Sequence, residues 1–127
     1  MSAGYHHFII EQGATSGQTL TLKDSSNAVI NLTGFTGAMS LKEKPDATAT
    51  ILSLTTANGR MTMGGNAGTI VLTISSTDTG NLTPDDGVFD LEITSGAGVV
   101  TRIIEGTYSV RRNITARVLL ILLQLQV

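Results

Sequence analysis

The chain has 127 residues, of which 14% are charged, 4% are aromatic and none is cysteine. This length supports one domain with its own hydrophobic core, and the lack of cysteine excludes a disulfide framework, a thiolate metal site and a cysteine nucleophile. Ten acidic and eight basic residues give a net charge of −2, so the chain lacks the overall positive field that holds nucleic acid.

Short runs in which apolar and polar residues alternate predict an all-β chain, because side chains along a strand point alternately to its two faces. No window has a sustained 3.6-residue period, and residues 75–84 have room for only one helical turn, capped by Ser75 or Ser76. The alternating runs predict strands, in chain order, around residues 8–10, 20–22, 30–32, 39–41, 51–54, 61–63, 70–74, 89–93 and 99–110.

Two turn signals refine this fold. Asn58-Gly59 is typical of a tight hairpin, because both residues tolerate positive φ, and it predicts that the run at 61–63 is the return strand of the run at 51–54. The spacing from Asp85 to Phe89 is that of the corner before strand F in immunoglobulin-like sandwiches, with Phe89 in place of the corner tyrosine. The sequence therefore predicts an immunoglobulin-like antiparallel β-sandwich over residues 1–110.

The nucleophile and histidine motifs in the sequence are weak. Ser16 lies in a G-A-T-S-G run, which lacks the spacing of a nucleophile elbow and is not followed by a helix, so a tight turn explains it. His6 and His7 are neighbours on a predicted edge strand and point to opposite faces, which hinders chelation of one ion. We expect one of the two histidines to be exposed.

Three further groups could bind ions or substrates, and each has a simpler explanation. Asp78, Asp85 and Asp86 could form a loop calcium site, but their spacing matches no EF-hand and acidic turns are common in sandwiches. The glycine-rich residues 64–68 precede a strand, so they lack the helix N-terminus that binds phosphate. Asp90 and Glu92 share one strand face, as a carboxylate pair or ordinary outward polar residues would. We therefore predict no enzyme, cofactor or metal site.

The C-terminal part of the chain differs from the rest in charge and hydropathy. Residues 1–108 hold five basic and ten acidic residues, a net charge of −5, whereas residues 109–127 hold three arginines and no acid. Eight of the ten residues 118–127 are apolar, and odd positions 119 to 127 are all apolar while Gln124 and Gln126 fall on the other face. This run is about half as long as a bilayer-spanning helix, so we expect no membrane span.

Three interpretations of this tail remain open: a last strand on its own sandwich, an amphipathic membrane anchor, or an arm that adds a strand to a neighbouring subunit. Burying its apolar side chains is worth on the order of 10–20 kcal/mol, so leaving them in water would favour aggregation. We favour an arm over residues 111–127, with its arginines seated against an acidic neighbour. The predicted interface residues are Arg111, Arg112, Arg117, Val118, Leu119, Leu120, Ile121, Leu122, Leu123, Leu125 and Val127.

Several strand-and-turn segments of the sequence resemble a family of small tailed-phage virion proteins, in particular the immunoglobulin-like N-terminal domain of phage baseplate upper proteins. The resemblance covers about residues 5–110 and is carried by FIIEQG (8–13), LTLKD (20–24), INLTGF (30–35), MSLKEKP (39–45), ANG (57–59) and GVFDLEI (87–93). It implies a non-enzymatic structural module of the phage particle, present in many copies. The residues after 110 do not resemble the coiled or receptor-facing part with which baseplate members usually continue.

The resemblance implies a tail or baseplate assembly module, acting in fibre attachment or as an adaptor. We expect a homo-oligomer that binds other copies of itself and other virion proteins but not nucleic acid. The first residues lack the features of a secretory signal, so we expect assembly of the virion in the host cytoplasm. The alternatives are a capsid decoration or cement protein, and a host-surface carbohydrate-binding module, which the low aromatic content disfavours.

Overall fold

The computed structural model describes residues 4–83 and 85–112, and within these ranges the chain forms eight β-strands and one short α-helix. The strands are β1 (Gly4–Glu11), β2 (Ser16–Thr21), β3 (Thr36–Lys42), β4 (Leu52–Thr55), β5 (Met61–Met63), β6 (Thr69–Ile74), β7 (Asp86–Thr94) and β8 (Val100–Arg111). The helix α1 (Ser76–Gly80) connects β6 to β7. The strands form two packed sheets, so the predicted all-β sandwich is confirmed.

The strand order places the edges of the two sheets. The larger sheet has the order β1-β8-β7-β3-β4, and the smaller sheet has the order β2-β6-β5. The neighbours β8-β7-β3 and β2-β6-β5 correspond to the G-F-C and B-E-D neighbours of immunoglobulin-like sandwiches. The pairs are antiparallel except for β1 with β8, which run parallel from Gly4 beside Ile104 to Glu11 beside Arg111.

The core lies between the sheets and consists mainly of alternate residues of the strands, in the phase that the sequence predicts. Phe8 and Phe89 pack with their ring centroids 4.9 Å apart, so Phe89 fills the core where a corner tyrosine would stand. Full burial of each large apolar side chain is worth about 1.5–3 kcal/mol. The following alternate residues of β1, β3, β6 and β7 are at most 6% exposed: Phe8, Ile10, Met39, Leu41, Ile70, Leu72, Ile74, Phe89, Leu91 and Ile93.

The prediction of a strand around residues 30–32 is wrong. This segment makes only an isolated bridge, between Lys23 and Val29. The backbone N–H of Ile30 donates to Leu22, whereas that of Leu32 donates to Gly65, and two different partner segments cannot form one ladder. Leu32 is nevertheless fully buried. The alternation of apolar and polar residues therefore predicted the burial of this side chain correctly, but it predicted strand pairing wrongly.

The hairpin predicted at Asn58-Gly59 is also wrong, because the turn joins strands of different sheets. β4 pairs with β3, and β5 pairs with β6. Asn58 and Thr55 exchange side-chain to backbone hydrogen bonds of 3.0 Å in both directions, and Gly59 adopts φ +81°. Gly59 thus has the positive φ that the motif predicts, whereas Asn58 does not, and the turn carries the chain from one sheet to the other.

The single helical turn predicted before β7 is present as α1. The hydroxyl of its N-cap Ser75 accepts the backbone N–H of Asp78 at 3.2 Å. Thr79 is fully buried; its Oγ1 accepts the N–H of Gly13 and donates to the carbonyl of Ala14, which fastens the β1–β2 loop to the helix. Within the described part of the chain, no helix is both long enough and apolar enough to traverse a bilayer.

Candidate functional site

The two predicted interface arginines that the structure describes are held by acids of their own chain. Arg111 ends β8 and pairs with Glu11 at 3.1 Å, and Arg112 pairs with Asp85 at 2.7 Å. Exposed ion pairs of this kind contribute about 0–1 kcal/mol, so they orient the end of β8 more than they stabilise it. The other predicted interface residues, Arg117, Val118, Leu119, Leu120, Ile121, Leu122, Leu123, Leu125 and Val127, lie outside the described residues.

The carboxylates of Asp90 and Glu92 share the outer face of β7, as predicted, and Arg102 is bound to both. Its guanidinium lies 3.3 Å from Asp90 and 3.8 Å from Glu92. A β-bulge makes this possible, because the β7–β8 register skips Ile103 and so turns Arg102 to the outer face. The two acids therefore form a surface ion-pair cluster with an arginine, not a pair of carboxylates awaiting a substrate.

This cluster borders a concave surface on the outer face of the larger sheet. The concavity has a volume of about 580 Å³. Tyr5 lines it and is 74% exposed, unlike the other tyrosine, Tyr108, at 1%. The sequence contained this signal, because Tyr5 is out of phase with the core residues Phe8 and Ile10 on the same strand. An exposed ring beside charged side chains is an arrangement that can bind a polar ligand with an apolar face.

The two histidines differ in their surroundings, although both are exposed and only one was expected to be. The ring of His6 lies edge-on to Phe8, with centroids 4.5 Å apart. His7 faces the other way and bonds to Thr107 at 2.6 Å through Nδ1 and to Ser109 at 3.1 Å through Nε2.

Ser109 links the histidine to an acid of a neighbouring strand. Its hydroxyl lies 3.1 Å from Nε2 of His7 and 3.2 Å from the carboxylate of Asp86. Because His7 is on β1, Ser109 on β8 and Asp86 on β7, this chain of hydrogen bonds ties the three neighbouring strands together.

The acids of the possible calcium site have separate partners. Asp78 accepts two hydrogen bonds from Arg60, at 2.8 and 3.1 Å, and these bonds lower the pKa of its carboxyl despite some desolvation. Asp85 pairs with Arg112, and Asp86 accepts from Ser109. Over residues 4–83 and 85–112, the structure assembles no group of three or more potential metal-binding side chains.

The remaining sequence motifs have structural roles in the described chain. Ser16 is the first residue of β2 and follows the loop that Thr79 fastens. The glycine-rich residues form a 3₁₀ turn at Gly65–Ala67 that leads into β6. A strand after such a loop presents no row of helical N–H groups to an anion, so no phosphate cradle forms here.

An open edge and an apolar groove lie beside β2. Among the described residues β2 pairs only with β6, so its other side has no strand neighbour. A gap of about 580 Å³ separates it from the end of the larger sheet where Gly4 begins β1. We call this gap the β2 groove; its apolar lining residues are Leu20, Leu22, Ile30, Ile93, Ile103 and Ile104.

Sequence reasoning did not find the β2 groove, because Leu20 and Leu22 read as ordinary core positions of a strand. Their location at an opening depends on β1 joining the larger sheet, which local alternation does not reveal.

A scan against protein-family models gives no match, and no curated protein matches the chain.

Proposed function

We propose that this chain is a non-enzymatic structural module of a tailed-phage particle, acting in the tail or baseplate as a fibre-attachment or adaptor component. In this proposal it forms a homo-oligomer in the virion, docking by strand addition and through an arm formed by residues 111–127. The observation that carries the proposal is the open edge of β2 beside an apolar groove. An uncovered edge is a template for a further strand.

The polar groups of the described surface also support an assembly role over catalysis. Asp78, Asp85, Asp86, Asp90 and Glu92 each have an arginine or hydroxyl partner. An active site needs titratable groups that converge on a reacting atom, and these groups are engaged with one another across neighbouring elements. Their arrangement supports a structural role.

The assembly proposal is tested by deleting residues 114–127 and measuring molar mass by light scattering. We expect an oligomer for the full chain and a monomer for the deletion variant, because the apolar run supplies the contact between copies. A second variant, with Leu119, Ile121 and Leu123 all replaced by asparagine, keeps the chain length and should also be monomeric. The proposal would be overturned if the full chain is already a monomer. It would also be overturned if the deletion variant contains as many chains per particle as the full chain does.

Membership of a virion needs its own measurement. Mass spectrometry of purified particles from a host that carries the gene should detect the chain at a fixed ratio to the tail proteins. Detection only in the soluble lysate, with none in the particles, would contradict a virion role even if the chain oligomerises.

A carbohydrate-binding role is a second candidate, favoured specifically by Tyr5. Its exposed ring lies at the concave surface that Arg102, Asp90 and Glu92 also line, and rings of this kind can pack against sugar faces. Screening the full chain on a glycan array tests this candidate. Binding that Tyr5→Ala abolishes and Val100→Ala preserves would support it, since Val100 is also exposed at 58% but does not line that surface.

A further inference from the structure

We infer that the open edge of β2, with the β2 groove beneath it, receives residues 118–127 of a second copy of this chain as an added strand. This inference rests on the proposed assembly function and names the receiving site for the arm. The added strand would thus form hydrogen bonds with the backbone of β2, and its apolar side chains would contact the β2 groove.

Over residues 4–83 and 85–112, no strand pairs with the outer side of β2, so its backbone groups there can accept an added strand. The N–H of Leu22 donates to Gly68 at 2.8 Å, on the side of β6. In an antiparallel ladder the backbone groups alternate in direction, so those of Thr21, Thr19 and Gly17 point away from β6. Among the described residues no strand lies on that side.

Nothing in the sequence of β2 protects this edge. Sheet edges are usually blocked by charged residues, proline or a bulge, whereas β2 reads Ser-Gly-Gln-Thr-Leu-Thr and pairs with β6 in unbroken register. A Cβ atom placed on Gly17 would meet no atom within 4 Å, so the sheet face above this residue is also open.

The β2 groove supplies an apolar surface for the same incoming strand. Leu20 and Leu22 line one wall, and Ile103 and Ile104 line the other. These side chains are partly buried against the core, and Gly4 lines the same gap. A strand laid along the β2 edge would place alternate side chains into this gap.

Residues 118–127 have the pattern and length that this site requires. Apolar residues occupy every odd position from Leu119 to Val127, so one face of the segment is apolar along its whole length in an extended conformation. Ten extended residues span roughly 33 Å, whereas the six residues of β2 span roughly 20 Å. Arg117, which directly precedes the segment, also complements the net charge of −5 on residues 1–108.

Chain direction favours a second copy as the donor. Ser16 and Gln18 lie near Ile10 and Tyr108, whereas Leu20 and Leu22 lie near Gly4 and Ile104, so β2 runs from the Arg111 end of the sandwich towards the groove. A segment that returned from Arg112 along β2 of its own chain would therefore run parallel to it. A second copy can present the segment antiparallel, the more stable pairing.

Cysteine cross-linking tests the site, and the cysteine-free chain makes the chemistry specific. Full-length Thr19→Cys is mixed under oxidising conditions with three tagged single variants, Leu120→Cys, Leu122→Cys and Gln124→Cys. We expect a disulfide-linked heterodimer with at least one of them. The matched control is Thr62→Cys, an exposed threonine on β5 at the opposite edge of the same sheet, and it should give no heterodimer.

Two outcomes would overturn the inference. One is equal cross-linking, or none, with Thr19→Cys and Thr62→Cys. The other is that chains carrying both Thr19→Cys and Leu122→Cys close an intramolecular disulfide while the mixed single variants do not link. In either case, if deleting residues 114–127 still converts the oligomer to a monomer, the assembly function stands and only the receiving site is refuted.

Discussion

At the scale of single residues, Tyr108 carries a polar atom that the fold does not satisfy. Its side chain is 1% exposed, and its hydroxyl has no hydrogen-bond partner in the described part of the chain. Burying an unpaired hydroxyl costs about 1–3 kcal/mol. Tyr108→Phe should therefore raise the free energy of unfolding by about 1 kcal/mol, measured by urea denaturation. A loss of similar size would show that the hydroxyl is bonded.

The same tyrosine predicts how stability changes at alkaline pH. Burial raises the pKa of Tyr108 above its ordinary value, and the charges of Glu43 and Asp86 raise it further. The folded state therefore holds the phenol proton more tightly than the unfolded state, so stability falls as pH rises above about 10. Tyr108→Phe should remove part of this fall in thermal unfolding experiments. Tyr5→Phe, at an exposed position, should leave it unchanged.

Asp78 has the opposite dependence on pH. Its hydrogen bonds from Arg60 lower the pKa of the folded carboxyl, so its stabilising effect is present at neutral pH and is lost as pH falls below about 4 through that lowered value. We expect Asp78→Asn to lower the melting temperature at pH 7, and we expect this deficit to become smaller as pH falls below about 4. Asp46→Asn, in an exposed loop, is the control. A deficit that is equal at pH 7 and below about pH 4 would contradict this account.

At the scale of elements, Gly87 shows why a glycine stands at the start of β7. A Cβ atom there would lie 2.5 Å from the carbonyl oxygen of Lys42 and 2.5 Å from Cε1 of Tyr108. The carbonyl belongs to the β3–β7 ladder and cannot move away cheaply, so Gly87→Ala should cost about 1–3 kcal/mol in chemical denaturation. Gly17→Ala on β2 has open space and should be nearly neutral. Equal effects would refute the steric explanation.

The elements also show what local sequence can predict. Alternation placed Phe89, Leu91 and Ile93 on the buried face of β7, because a strand between a core and solvent needs that period. It failed where local chemistry was compatible with two topologies. Gly59 has the expected positive φ, yet the strands on either side of the turn find their partners in different sheets. Pairing is decided by contacts distant in sequence, which a turn does not encode.

The site was predictable to the same extent. The outward position of Tyr5 and the shared face of Asp90 and Glu92 follow from period 2. The contact of Arg102 with those acids does not, because it depends on a bulge that reverses the phase of β8. The groove beside β2 likewise depends on the sheet that β1 joins, and only the assembled topology shows it.

At the scale of the whole molecule, the sandwich offers an edge that can accept a strand, and the tail offers an apolar segment that can be buried there. The described part of the sandwich leaves a six-residue edge and an apolar groove without a covering strand, and the tail brings apolar residues that need burial. Satisfying both between copies couples folding to association, because each copy then completes the core of another. Stability of the full chain should therefore depend on protein concentration.

We expect the melting temperature of the full chain to rise with concentration, because association stabilises only the folded state. At a concentration about 100 times the Kd, this linkage adds about 2.7 kcal/mol, which raises Tm by on the order of 10 °C for a domain of this size. Calorimetry over a range of concentrations measures the effect. The variant without residues 114–127 is the control and should melt at one temperature throughout. A concentration-independent Tm for both chains would mean that the tail stabilises no assembly.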